Sequence, residues 1–390
     1  MRTRPESPVR GGLVALTLVA CAAAPPRPTE STSVPSAAPA AASAAAAPPS
    51  IASTPAPAAA PLPTPAAPAA APTPAPTALA RGTGTPFDRA LAEGDAAFDA
   101  GDTKRALAAY KHAQKLAPAG DPAPLIGIAR ATLAAPELEF VLGGGEHDPL
   151  VLALLRDLNA AVSHDLHEPG LQRELGKTLF VLGRAEPALM ALGRAVQDRP
   201  RDLESLSVLS VALMSVGKSD QALPYLQRAA ELAPNDAESF TNLGTALLLT
   251  GAVGEAATAF ERAVALEPSS ARTHSDLGTA CLTQGRFECA VRELTRATEL
   301  EPARATYRSN LAHALEVTGK LDDAYANAKR ATELDPKLGS AWLNLGTTAA
   351  KLGHFDDARR AFERAKALDP TDPRPLTDLT ELEELERNKR

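Results

Sequence analysis

Cysteine occurs three times in 390 residues, so no disulfide framework organises this chain. Aromatic side chains make up 4% of it and tryptophan occurs once, which removes the stacking platforms that bind single-stranded nucleic acid. A basic excess is missing as well. Forty Lys and Arg stand against 47 Asp and Glu, a formal net charge of −7, and phosphate binding needs a cationic face. Neither Gly-x-Ser-x-Gly nor His-Glu-x-x-His occurs. These absences argue against a nucleic-acid partner, and no cofactor or small-molecule substrate is expected.

What is abundant is periodic. Prolines fall at Pro200, Pro234, Pro268, Pro302, Pro336 and Pro370, always 34 residues apart. Glycines at Gly183, Gly217, Gly251, Gly285, Gly319 and Gly353 keep the same step, as do alanines at Ala195, Ala229, Ala263, Ala297, Ala331 and Ala365. Three ladders in one register define a repeat array.

Each repeat reads as two antiparallel helices. In the last copy, Ala341–Leu352 is amphipathic and Gly353 ends it, because glycine takes the left-handed conformation without steric cost. A second helix runs from about Asp356 to Leu368, and Pro370 stops it. Gly346, Ala358 and Ala365 let helix axes approach, while Trp342, Leu345 and Phe362 fill the remaining space. One hairpin cannot bury both its faces, so it must stack on neighbours.

Trp342, Leu345, Gly346, Ala358, Phe362 and Pro370 resemble the tetratricopeptide repeat signature, W-x2-L-G, then A-x3-F, then P. Leu243, Gly244, Ala256, Phe260 and Pro268 repeat most of it, as do Leu277, Gly278, Ala290 and Pro302. Ser210 and Ala312 depart from it in place of the first glycine. The resemblance covers residues 169–372, six consecutive repeats, and implies an all-α helical solenoid coiled as a right-handed superhelix.

Residues 83–168 read as a further repeat and an irregular pair. Gly94, Gly101, Ala106, Tyr110, Ala113 and Pro118 keep the ladder spacings. Pro118 to Pro200 is 82 residues, two repeats plus fourteen, so helices at about Ala123–Ala135 and Pro149–Ser163 are expected around a loop at Leu142–Asp148. At the other end, residues 373–390 read as a capping helix. Leu376, Leu379, Leu382 and Leu385 form its apolar side, and Asp372 its N-cap.

The N-terminus differs in kind. Arg2, Arg4 and Arg10 precede a short apolar core at Gly11–Ala20, too brief to span a bilayer, and residues 1–20 read as a secretion signal. Leu18-Val19-Ala20-Cys21 is similar to the lipobox of bacterial lipoproteins. That resemblance implies lipid attachment at Cys21, with several acyl chains giving firm anchoring. Ala22 after the cysteine implies, by the same analogy, the outer membrane, with the domain facing the periplasm. Residues 21–82 are almost wholly Ala, Pro, Ser and Thr, which predicts a disordered tether. Its reach is about 40 Å as a flexible coil and up to about 190 Å as polyproline II.

Three local patterns suggest chemistry. Ala212-x4-Gly217-Lys218-Ser219 matches a permissive phosphate-binding loop, but Gly217 belongs to the ladder that ends a helix, where no strand precedes it. His164, Asp165, His167 and Glu168, with His147 nearby in sequence, are suitable metal ligands at an expected helix end where spacing fixes no geometry. No metal site is assigned there. Cys281 faces the core of its helix pair, and Cys289 lies across the turn at a position that normally points outward. Two unpaired thiols are expected.

The set most suggestive of function is the sixth position of successive repeats: Asn242, Asp276, Asn310 and Asn344. Position six lies on the first helix, which lines the concave surface in the resembled family. An asparagine amide both donates and accepts, so it bonds a bound peptide's backbone without reading its side chains. This resembles the asparagine ladder of long tetratricopeptide superhelices. Thr245, Thr279, His313 and Thr347 would share that groove. The expected function is therefore a lipid-anchored scaffold, not an enzyme, that binds a partner protein or peptide in envelope assembly, secretion or pilus biogenesis. The alternatives are a metal-dependent enzyme built on residues 142–168 and a passive spacer.

Overall fold

The structure is a computed structural model that describes residues 78–136, 138 and 141–389. The secretion signal, Cys21 and the tether up to residue 77 lie outside the described residues. All regular structure among the described residues is helical, and no helix there is long and apolar enough to cross a membrane.

The first hairpin pairs α1 (Pro86–Asp99) with α2 (Thr103–Leu116); α3 (Ala123–Leu133) and α4 (Pro149–His164) follow. Six hairpins succeed them: α5 (Pro169–Val181) with α6 (Ala185–Asp198), α7 (Leu203–Ser215) with α8 (Ser219–Leu232), and α9 (Ala237–Leu249) with α10 (Val253–Leu266). Next come α11 (Ala271–Thr283) with α12 (Phe287–Leu300), α13 (Ala305–Val317) with α14 (Leu321–Leu334), and α15 (Gly339–Leu352) with α16 (Phe355–Leu368). The last helix is α17 (Arg374–Lys389).

Most hairpins close on one steric fit. A Cβ added to Gly346 would lie 2.5 Å from the Phe362 ring, and one on Gly244 would lie 2.7 Å from the Phe260 ring. Where leucine replaces the ring the fit persists: a Cβ at Gly278 would meet Leu294 at 2.6 Å. The departure at Ala312 is matched across its hairpin by Ala328 in place of the large side chain, and the two share one buried cluster. Ala188, Ala222, Ala256, Ala290, Ala324 and Ala358 are all fully buried at the second close approach. The turn between helices uses Gly353 at φ 81°, with the His354 N–H reaching back to the Ala349 carbonyl, so the last carbonyls of α15 are satisfied.

Neighbouring hairpins join chiefly where a second helix packs on the next first helix, and their first helices also meet. From α5 to α15 each first helix touches the next first helix, whereas among the described residues no two second helices touch. A stack that is closer on one layer curves toward that layer, so the first helices line the concave side.

Four expectations need correction. Cys281 and Cys289 form a disulfide with Cα atoms 5.9 Å apart. Cys289 sits in the first turn of α12 and is buried rather than turned outward, which brings it within bonding range of Cys281. The extra residues before α4 occupy the longer stretch 134–148, where the Gly143 and Gly145 N–H groups bond the Phe180 and Val181 carbonyls at the end of α5. The tether stops short of residue 82, because Leu79, Ala80 and Arg81 are held by α1, as described below. On α17, Leu382 is fully buried and Leu379 half-buried, but Leu376 and Leu385 are exposed. The cap buries a narrower face than its leucine spacing suggests.

Ala256→Leu overpacks the close approach of α9 and α10 and should destabilise the domain by about 1–3 kcal/mol. Equilibrium denaturation checks it, and an unchanged midpoint would contradict the packing described.

Candidate functional site

With residues 169, 203, 237, 271, 305 and 339 counted as position one, four positions share the inner face of each first helix: two, five, six and nine. Their spacing, i, i+3, i+4 and i+7, keeps them on one side of a helix. Side-chain contacts between hairpins follow the same register. Position two meets position five of the preceding hairpin where Ser340 Oγ lies 3.4 Å from Ser309 Oγ. Position six meets position five where Asn344 Nδ2 donates to the Ser309 carbonyl at 2.9 Å.

At the α5–α7 junction this strip is an ion-pair cluster. Arg173 (five) meets Glu204 (two) at 3.1 Å and Asp202 at 3.0 Å, and Lys177 (nine) meets Glu204 at 3.2 Å and Glu174 (six) at 3.1 Å. Arg130 of α3 adds a contact to Glu204 at 3.4 Å. Burial alone would raise the Glu204 carboxyl; Lys177, Arg173 and Arg130 outweigh it and hold it at about 2. Three cations balance three anions and, although Glu174 Oε2 meets Lys177 without a hydrogen bond, the charge at this end of the strip is paired internally.

The middle of the strip is not. Asn242 and Asp276 are 5% and 6% exposed. Asn242 Nδ2, Arg272 Nε, Asp276 Oδ2 and Thr306 Oγ1 are buried without a hydrogen-bond partner. They belong to positions six, two, six and two of α9, α11 and α13. Arg272 Nε stands 3.5 Å from Asp276 Oδ2, a charge contact without hydrogen-bond geometry. Burial pushes the Asp276 carboxyl up to about 7 against the pull of Arg272. A buried polar atom without a partner costs about 1–3 kcal/mol, so four together on a concave face form an incomplete surface.

The other expected groove residues are more committed. Thr245, Thr279 and Thr347 donate their hydroxyls to the carbonyls of Thr241, Ser275 and Leu343 on their own helices. His313 Nδ1 lies 3.5 Å from Glu316 Oε2, and Asn310 is half-buried. Asn344 also bonds Ser309 Oγ at 3.1 Å, so its amide joins two hairpins. The ladder is thus mixed, with Asn242 and Asp276 open and Asn344 structural. Position two was missed by sequence reasoning, although Arg272 stands seven residues before Thr279, two helical turns away on the same face.

The first hairpin shows the same strip in use. Asp88 and Asp95 of α1 stand at positions two and nine if Phe87 is counted as position one. The Leu79 and Ala80 N–H groups donate to Asp95 Oδ2 at 2.8 and 3.0 Å, and the Arg81 N–H donates to Asp88 Oδ1. The Tyr110 hydroxyl donates to Asp95 Oδ1 at 2.9 Å and fixes that carboxylate from behind. The Arg81 N–H holds the Asp88 carboxyl below its ordinary value. Leu79 packs against both adjoining apolar clusters. A non-helical piece of chain therefore lies on the inner face, its main-chain amides bonded to groove side chains.

The remaining sequence candidates are ordinary surface. Gly217 has φ 77°, the Lys218 N–H bonds the Leu213 carbonyl, and Lys218 Nζ pairs with Glu186 at 2.8 Å. These contacts cap a helix and leave no phosphate cradle. His167 Nδ1 stands 3.5 Å from Asp198, and among the described residues no three His, Cys, Asp or Glu side chains converge.

Tetratricopeptide repeat models match residues 208–271, 275–338 and 339–372. These hairpins are tetratricopeptide repeats. No curated protein matches the chain. Among solved structures, the APC/C hetero-tetramer Cut9–Hcn1 aligns with TM-score 0.57 at 16% identity over 76% of this chain and 55% of that one. YrrB, described as a tetratricopeptide protein with an unusual peptide-binding site, aligns at 0.40 and 24% identity over 49% of this chain and 99% of its own. PilW, described as a type IV pilus biogenesis factor, aligns at 0.49 and 20% identity over 54% and 98%. At such identities the likeness concerns the fold.

Two outcomes follow from this geometry. Asn344→Ala should cost about 0.5–1.5 kcal/mol of stability, whereas Asn242→Ala, which removes a donor without a partner, should be neutral or stabilising. Chemical denaturation of both variants distinguishes them. Glu204 contributes stability that is complete above its ordinary pKa of 4.5 and is lost as pH falls toward about 2. Glu204→Gln should be less stable at pH 7 and should lose less on acidification, read from unfolding curves at stepped pH.

Proposed function

We propose that the chain is a scaffold whose concave face takes an extended segment of a partner protein. The observation that carries this reading is the seat of Leu79–Arg81 on α1, where carboxylates at positions two and nine hold main-chain N–H groups. The corresponding strip at α9–α13 offers buried polar atoms without partners. A segment laid along it would satisfy those atoms by the same kind of bond. Each such bond contributes about 0.5–1.5 kcal/mol, so a few in register give useful affinity.

The scaffold is carried on a lipid anchor at Cys21 and on the Ala/Pro-rich residues that follow, in a bacterial envelope. The Leu18–Cys21 sequence supports the anchor. The Cys281–Cys289 bridge supports an oxidising compartment, because cytosolic thiols are kept reduced. Outer-membrane attachment, with work in envelope assembly, secretion or pilus biogenesis, completes the reading.

A photo-crosslinking residue placed at Asn242 in the full chain should yield discrete protein adducts in cells, and one at the exposed Glu255 on α10 should not. Equal labelling from both sites would overturn the groove reading. Labelled fatty acid should be incorporated by the natural chain and not by Cys21→Ser.

A further inference from the structure

The four buried polar atoms without partners differ in kind from a generic peptide site. Asn242 Nδ2 and Arg272 Nε only donate, the Thr306 hydroxyl donates or accepts, and Asp276 Oδ2 accepts unless it carries a proton. The ion-paired strip at α5–α7 contains as many anions as cations, and the α1 seat offers carboxylates to N–H groups. At α9–α13 the balance tips toward donors. A complementary ligand supplies acceptors and few N–H groups. Proline-rich chain does this, since every proline has a carbonyl and no amide hydrogen, and its extended form leaves those carbonyls without internal bonds.

Resting on the groove reading above, we propose that Asn242, Arg272, Asp276 and Thr306 form a donor-rich recognition site for the main-chain carbonyls of a proline-rich segment of a partner protein. Asp276 takes part as the neutral acid, donating through its own O–H. Burial favours that state, and Arg272 on its own helix, the cation beside it, opposes it without outweighing it; from α13 the nearby titratable group is the buried Tyr307 phenol. Asn242 of α9 carries no charge, and Glu293 of α12 is engaged by His274 at 2.8 Å and by Arg292 at 2.8 Å. With burial uncompensated by a hydrogen bond, the carboxyl is half protonated near pH 7. A carbonyl ligand prefers the protonated form and an N–H ligand prefers the carboxylate, so the two classes respond to pH with opposite sign.

The test uses the full chain and two labelled probes, decaproline and a Gly-Ser decapeptide, followed by fluorescence polarisation from pH 5.5 to 8.5. Decaproline should bind more tightly than the Gly-Ser peptide, with affinity falling as pH rises through about 7. Asn242→Ala and Arg272→Leu should each weaken it by about 2- to 12-fold, the equivalent of one lost hydrogen bond. Asp276→Asn, whose amide still donates, should keep binding and lose the pH dependence; melting curves verify that each variant is folded. Preference for the Gly-Ser peptide, affinity that rises with pH, or indifference to the variants would overturn the proposal. If inner-face crosslinks form but decaproline does not bind, this proposal fails alone. If neither occurs, the groove reading fails with it.

Discussion

The constraint beneath this architecture is that a large side chain on one helix occupies the space left by a missing one on its partner. Phe362 fits because Gly346 has no Cβ and Phe260 because of Gly244, whereas the Ala312–Ala328 pair has no large side chain and shares its cluster with Leu345 and Ala361. That fit sets the distance between the two helices of a hairpin. The buried alanines of the second helix allow the second close approach within the hairpin. With the first helices in mutual contact and the second helices apart, curvature follows, and with it a concave strip of four positions per hairpin.

The strip changes character along its length although the backbone repeats. At α1 it holds chain from the same molecule. At α5–α7 it is closed by interlocking ion pairs, and at α9–α13 it is left with polar atoms that nothing satisfies. Between α13 and α15 an asparagine closes it again through Ser309. The middle section is the binding window proposed above, set apart from its neighbours by a few side chains.

Much of this was legible in sequence, for reasons that can be stated. Gly353 and its counterparts mark helix ends because they need positive φ, and proline marks the next break because it lacks a donor. Both act locally, so their spacing reports the fold directly. Position six was legible as a groove position by family resemblance. The roles of its members were not. Asn242 and Asn344 are the same residue in the same register, and Ser207 precedes the one as Ser309 precedes the other, yet the Asn344 amide nitrogen bonds its neighbouring hairpin and the Asn242 amide nitrogen has no hydrogen-bond partner. Position two went unnoticed because its members vary from the carboxylates of Asp88 and Glu204 to the guanidinium of Arg272 and the hydroxyl of Thr306.

Sequence alone determined the period and the helical hairpins, since each depends on backbone preferences within a few residues. Tertiary structure decided which polar side chains meet a partner, that Cys289 turns inward to Cys281, and that Leu79–Arg81 folds onto α1. Those outcomes depend on distances between residues far apart in the chain or on the rotation of one helix against another, and a fraction of a turn converts a satisfied atom into an open one.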